Sequence, residues 1–137
     1  MKIFKLDKIP EKSYLWTDGG SEEFSKYELE ELYATNADAA FYWYCTGSYE
    51  GSGQLLILKD KKWYLHDCGH CSCYGPTDSL SLDTPISDSL SGIQEKCSED
   101  LWYSVKPLVD LAQKNGYKDK IEVKKTKIKD SKEKRKS

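Results

Sequence analysis

The spacing of hydrophobic and polar positions predicts a helix near the start of the chain. Between Glu22 and Asn36 the apolar side chains fall close to helical spacing. These residues, expected to form a broad apolar face, are Phe24, Tyr27, Leu29, Leu32 and Tyr33. Ser21 is the expected N-cap, and Ser25 with Glu28 forms a second possible capping box. The first predicted element is therefore a helix over residues 22–36.

Three short apolar runs follow, and each predicts a β-strand. They cover residues 39–46, 54–59 and 63–68. The glycine-rich segment 47–53 and the pair Asp60-Lys61 between these runs are typical of tight turns. Because short connections join antiparallel neighbours, the pattern predicts a three-stranded antiparallel meander.

The chain after the strands is polar and rich in serine over residues 77–92, which predicts a loop with a helical turn starting near Ser87. Ser98 then caps a second helix with apolar residues at helical spacing, and Asn115-Gly116 ends it. Pro107 falls inside this pattern, so we expect a kink or two short helices meeting there.

These elements predict an α+β fold in which the three-stranded antiparallel meander packs against two or three helices. We expect the helices on one face of the sheet, with the other face partly open. Residues 1–117 are predicted to form a single globular domain. Residues 118–137 form a basic, Lys-rich tail, with a possible edge strand over 120–128 and disorder beyond Lys129.

Composition and charge limit the function classes. The 137 residues are 38% hydrophobic and 32% charged, which suits a globular domain and excludes collagen-like, coiled-coil and wholly disordered classes. The net charge of −2 divides into +6 over residues 118–137 and −8 over the rest. The basic tail leaves nucleic-acid binding open, but Arg135 is the only Arg, which disfavours sequence-specific DNA recognition. A solvated tail is the simpler interpretation.

The sequence also indicates a compartment. The N-terminus has no apolar core of the kind that a secretory signal needs. The longest apolar run, Ala39 to Cys45, is far shorter than the roughly 20 residues that span a bilayer. We therefore expect a cytoplasmic protein without membrane contact, whose five Cys are reduced.

The densest chemical signal is a Cys/His cluster directly after the third predicted strand. One hypothesis is a zinc site with Cys68, His70, Cys71 and Cys73 as ligands, because Cys68 and Cys71 form a C-x2-C step. The coordination sphere would be closed by His66, Cys45 or Cys97. Strong zinc signatures contain two such steps, and this chain has one.

Three other interpretations of the cluster remain. The letters Cys-Gly-His-Cys match the active site of disulfide oxidoreductases, but a turn follows them where a helix would be needed. A nucleophilic Cys beside His66 or His70 would define a thiol enzyme, although no third, orienting group is identifiable. The interpretation we favour is a packed corner, because buried thiols more often pack than react.

The first predicted helix is rich in acid. Its acidic residues are Glu22, Glu23, Glu28, Glu30 and Glu31. They could present a negative patch to a basic partner. A solvated helix face explains them without any partner, and this is the interpretation that the sequence favours.

Three segments together carry a resemblance: GSYEGSG at 47–53, KWYLHD at 62–67 and GHCSCYGP at 69–76. In these the chain resembles uncharacterised small proteins of bacteriophage and prophage genomes. The resemblance implies an accessory protein acting in the bacterial cytoplasm, where it would bind a host protein. It assigns no catalytic residue, ligand or cofactor. The predicted function is thus a small non-enzymatic binding module, with a zinc-stabilised domain and a thiol-dependent enzyme as alternatives.

Overall fold

The computed structural model describes residues 1–10, 20–46, 50–68, 70–71, 77 and 80–117. It confirms the α+β class. The strands are β1 (Lys2–Lys5), β2 (Ala39–Thr46), β3 (Glu50–Lys59), β4 (Lys62–Asp67) and β5 (His70–Cys71). The helices are α1 (Lys26–Ala34) and α2 (Glu99–Lys114), with one 3₁₀ turn at Gln94–Lys96.

The sheet contains the predicted meander and adds strands to it. Its order is β1-β2-β3-β4, and the β2–β3 and β3–β4 pairs are antiparallel as expected. The unpredicted β1 lies parallel to β2, with Phe4 opposite Phe41, so the sheet is mixed rather than purely antiparallel. The short β5 pairs with the start of β3, which extends into the segment predicted as a turn.

The turn between β3 and β4 is the one that the sequence predicts. Asp60 and Lys61 both have positive φ, at 52° and 69°. A two-residue hairpin loop with positive φ at both positions is a type I′ turn, whose twist matches that of the flanking strands. This turn fixes the register in which Leu58 lies opposite Trp63.

Helices cover both faces of the sheet, so the prediction of one covered face was wrong. Side chains of β2 alternate between two buried clusters. Phe41 and Trp43 lie in the cluster with α2, which we call the α2-side core. Tyr42 and Tyr44 lie in the cluster with Leu32 of α1, which we call the α1-side core. Both faces of β2 are buried because its residues are large and apolar on each side.

The helix boundaries correct two expectations. The α1 helix begins at Lys26 with Ser25 as its N-cap, so the second of the predicted caps is the real one. Ser21 is used differently, because its Oγ accepts a hydrogen bond of 3.0 Å from the amide of Tyr44. Helix α2 is capped by Ser98 as predicted, yet it runs through Pro107 as one helix rather than two.

The described part of the chain ends beside β1. Gly116, at φ +94°, ends α2, and the Tyr117 amide donates to the carbonyl of Ala112 at 3.0 Å. The Tyr117 ring lies edge-on to Phe4 and Phe41, with centroid distances of 6.2 and 5.3 Å. The predicted edge strand over 120–128 and the disorder beyond Lys129 lie outside the described residues.

Candidate functional site

The outer side of α1 exposes two tyrosines among acidic residues. Tyr27 is 58% exposed and Tyr33 is 55% exposed, the largest values among the exposed large hydrophobic residues. Glu30 lies three residues from each of them, and Glu31 lies four from Tyr27, so these side chains are neighbours on the helix. We call Tyr27, Glu30, Glu31 and Tyr33 the acidic aromatic surface. The sequence pattern predicts both tyrosines on the apolar face of the helix, which would be buried, and this prediction is wrong.

The start of α1 is fixed to β2 by several contacts. Phe24 stacks on Tyr42 with ring centroids 4.0 Å apart, and its amide donates to the Tyr42 hydroxyl at 3.1 Å. The carboxylate of Glu22 accepts hydrogen bonds from the amide and hydroxyl of Thr46 at 3.0 and 2.9 Å. These contacts fix the position of the N-terminus of α1 relative to β2.

The rest of α1 is equally well anchored. The Ser25 amide donates to Glu28 at 2.8 Å, and the Glu28 amide donates to Ser25 Oγ at 3.4 Å, which completes a capping box. Leu32 is fully buried in the α1-side core. At the other end, the Lys59 ammonium donates to the Thr35 carbonyl at 2.8 Å. The acidic aromatic surface is thus carried by a helix held at both ends.

Four of the acids near α1 divide into two groups. Glu22 and Glu28 bind Thr46 and Ser25, as described above. Glu30 and Glu31 are exposed and take part in neither of the two ion pairs found among the described residues. Their charges therefore face solvent.

The negative charge on this side also acts on the buried tyrosines. Burial raises the pKa of Tyr42, and the carboxylates of Glu23 and Glu28 raise it further. Burial likewise raises the pKa of Tyr44, with Glu28 and Glu22 contributing. Both hydroxyls are neutral at physiological pH, so they add no charge of their own to the α1 side.

The proposed zinc ligands are not all on one side of the sheet. Cys68 is fully buried in the α1-side core, whereas Cys45 is buried in the α2-side core and Cys97 packs against that core. Ligands of one zinc ion lie within about 2.3 Å of it. Cys45 and Cys68 therefore cannot share an ion. His66 pairs with Leu55, a residue of the α1-side core, so its backbone position is compatible with Cys68.

The remaining candidate ligands are described only in part. His70 and Cys71 form β5, opposite Gly51 and Glu50 of β3, and their positions are defined at the backbone. Cys73 lies outside the described residues. Within the part of the chain that the structure describes, no three His, Cys, Asp or Glu side chains are grouped to hold a metal.

Cys68 and Cys97 have the environment of packed residues rather than of nucleophiles. Burial raises the pKa of the Cys68 thiol, and the nearby Asp67 and Glu28 carboxylates add to the effect. Burial also raises the pKa of Cys97. Reactive cysteines instead have lowered pKa values, because the thiolate is the nucleophile.

The buried Cys68 thiol should make stability fall at alkaline pH. Its folded-state pKa lies above the unfolded value of about 8.5, so the unfolded chain loses this proton first. Stability from this group is complete below that value and is lost as pH rises. We expect the free energy of unfolding to drop by about 1.4 kcal/mol per pH unit above pH 9. Urea unfolding of the reduced protein from pH 7.5 to 10 measures the slope.

Two substitutions separate the contribution of the Cys68 thiol to the alkaline slope from the contributions of other titratable groups. Cys68→Ala should remove about 1.4 kcal/mol per pH unit from the slope, whereas the less buried Cys97→Ala should change it less. An identical alkaline slope in the wild type and Cys68→Ala would show that this thiol is not held neutral by the fold.

Two clefts on the described surface could admit a small molecule. One of about 450 Å³ lies between the end of β1 and α2, with Lys5, Lys8, Lys114 and Leu111 in its lining. The other, of about 360 Å³, lies at the end of α1 beside Leu80 and Leu82. Neither of these two clefts is lined by His or Cys, so neither offers the groups of a thiol enzyme.

Comparisons with known proteins give no match: no protein-family model fits the chain, and no curated protein or solved structure is significantly similar to it. Among the described residues, no helix has the length and apolar character required to cross a bilayer. Function must therefore be inferred from the chain's own surface.

Proposed function

We propose that this protein is a non-enzymatic binding module, and that its acidic aromatic surface docks on a basic surface of a partner protein. The resemblance to phage and prophage proteins makes a host protein the expected partner. The observation that carries the proposal is the exposure of Tyr27 and Tyr33 on either side of the solvent-facing Glu30.

The composition of this surface fits protein recognition. Tyrosine is enriched at interfaces because its ring buries a large area while its hydroxyl hydrogen-bonds. Solvent-facing carboxylates accelerate encounter with a positively charged partner. Because α1 is anchored at both ends, the surface is ordered before binding, which lowers the entropic cost of association.

The sign of the charge selects among partner classes. Nucleic acids present phosphates, which Glu30 and Glu31 would repel. A protein surface with exposed Lys or Arg is complementary in charge, and its cations can also stack on the tyrosine rings. The proposed partner is therefore a protein with a basic docking surface.

Truncation of the two tyrosines tests the proposal. The full-length protein and the Tyr27→Ala/Tyr33→Ala variant serve as baits in host lysate, and the captured partner is then titrated by calorimetry. We expect the double variant to bind at least about 30-fold more weakly, equivalent to about 2 kcal/mol. Its melting temperature should be nearly unchanged, because both side chains are exposed and alanine favours helix.

Tyr103→Ala is the matched control. Tyr103 lies on α2 and is 41% exposed, so this substitution removes a surface tyrosine from the opposite face of the protein. This variant should bind as the wild type does. Equal binding by the double variant and the control would contradict the proposal, as would a captured partner that has no basic surface.

A further inference from the structure

Tyr117, the residue before the basic tail, has a defined position in the fold. Tyr117 packs on Phe4 of β1 and on Phe41, so the last described residue lies beside β1, an edge strand of the sheet. From there the chain continues for 20 residues with a net charge of +6. The acidic aromatic surface lies on the other side of that sheet.

We infer that residues 118–137 bind the acidic aromatic surface of the same chain, and that a partner must displace them. The inference rests on the proposed function, because it concerns the same surface. The tail is then a tethered competitor that weakens the binding of every basic partner.

The reach of the tail permits this contact. Helices on the two faces of a sheet lie about 20 Å apart, since each layer is about 10 Å from the next. Twenty residues can span up to about 65 Å. A segment tethered at this distance has an effective concentration on the order of 1 mM, so even a weak contact is occupied.

Charge favours α1 over the nearer alternative. The cleft between β1 and α2 is closer to Tyr117, but Lys8 and Lys114 line it and repel a basic segment. Lys5 also lines this cleft, but its ammonium donates to the Ser21 carbonyl at 2.9 Å. The carboxylates in its lining are Asp7 and Asp110, and Asp110 already pairs with Lys106 at 3.0 Å. Glu30 and Glu31 take part in no such pair among the described residues, and the adjacent tyrosine rings can receive lysine cations.

Zero-length carbodiimide cross-linking of the full-length protein tests the contact. Equal amounts of ¹⁴N- and ¹⁵N-labelled chains are mixed, cross-linked and mapped by mass spectrometry. We expect links from tail lysines to Glu30 or Glu31 within one chain, and their loss at about 1 M salt, where screening is strong. Links mainly between chains, or spread evenly over carboxylates of both faces, would overturn the inference.

A binding measurement separates this inference from the proposed function. The probe is fluorescent octalysine, and the variant carries Lys124→Gln, Lys125→Gln, Lys127→Gln and Lys129→Gln. We expect the variant to bind the probe about fivefold more tightly than the wild type, as removal of a tethered competitor requires. Glu30→Gln/Glu31→Gln should abolish that gain.

The control variant loses the same number of positive charges as the tail variant, but on the side of the molecule opposite α1. Its substitutions are Lys8→Gln, Lys96→Gln, Lys106→Gln and Lys114→Gln. It should bind octalysine no more tightly than the wild type. Equal affinity of the wild type and the tail variant would overturn the inference and leave the proposed function standing. No binding of octalysine to the tail variant would contradict both.

Discussion

Phe41→Ala should lower the free energy of unfolding by about 4 kcal/mol. Phe41 is fully buried at the centre of the α2-side core. Its ring stacks on Phe4 at 5.0 Å and lies 6.1 Å from Trp63 and 5.3 Å from Tyr117. Truncation would leave a cavity lined by three rings from separate elements, and these cannot all move to fill it.

Urea denaturation at pH 7.5 measures this loss, and Tyr33→Ala is the control. Tyr33 is also aromatic but lies on the surface, so its truncation should change stability by less than about 0.5 kcal/mol. A loss under 1 kcal/mol for Phe41→Ala would mean that the Phe4 and Tyr117 rings do not pack on it as described.

Gly53→Ala should cost about 3 kcal/mol for a different reason, the close approach of two strands. A Cβ at this position would clash with the Trp43 carbonyl oxygen and lie 3.1 Å from Tyr44 Cα. Both are backbone atoms of β2, so the strands would have to separate. The same Cβ would lie 3.3 Å from Cys68 Cβ, which blocks movement toward the α1 side.

Gly116→Ala is the comparison that separates the cost of a steric clash from the cost of an unfavourable backbone conformation. Gly116 has a φ of +94°, but a Cβ there would meet no atom within 4 Å. Its substitution should cost about 1 kcal/mol through backbone strain alone. Equal losses for the two glycine substitutions, by thermal or urea unfolding, would contradict the close approach at Gly53.

The strands β2 to β4, the hairpin turn and the second helix can be predicted from local sequence. Strand β1, which the sequence pattern did not predict, cannot. The runs 39–46 and 54–59 are long and apolar, and Asp60-Lys61 is a recognisable turn. The four residues of β1 are Lys-Ile-Phe-Lys, which do not alternate between apolar and polar, and they pair with a strand more than thirty residues further along the chain. Such parallel pairing is a tertiary effect without a local signature.

The composition of β2 indicates that both faces of the sheet are covered. Residues Ala39 to Cys45 contain no polar position, whereas a strand with one solvated face alternates apolar and polar residues. Because Tyr42 and Tyr44 are as large as Phe41 and Trp43, both faces of β2 need a covering layer. Helices α1 and α2 supply those layers.

The candidate site was visible in the sequence only as acidic charge. Tyr27, Leu29, Leu32 and Tyr33 suggested one apolar face, but on α1 only Leu32 is fully buried. The three-residue spacing of Tyr27, Glu30 and Tyr33 could have identified the exposed line. Cys45 and Cys68 are separated because their side chains point to opposite faces of the sheet. Predicting those faces requires the register between the strands, which local sequence does not give.

Covalent footprinting of the complex tests most directly whether α1 is the docking surface. Tyrosine iodination and carboxyl modification are compared in the free full-length protein and in its complex with the captured partner. Protection of Tyr27, Tyr33, Glu30 and Glu31, with Tyr103 equally reactive in both samples, is the expected result. Protection of Tyr103 together with unchanged reactivity along α1 would place the interface on the opposite face and contradict the proposed function.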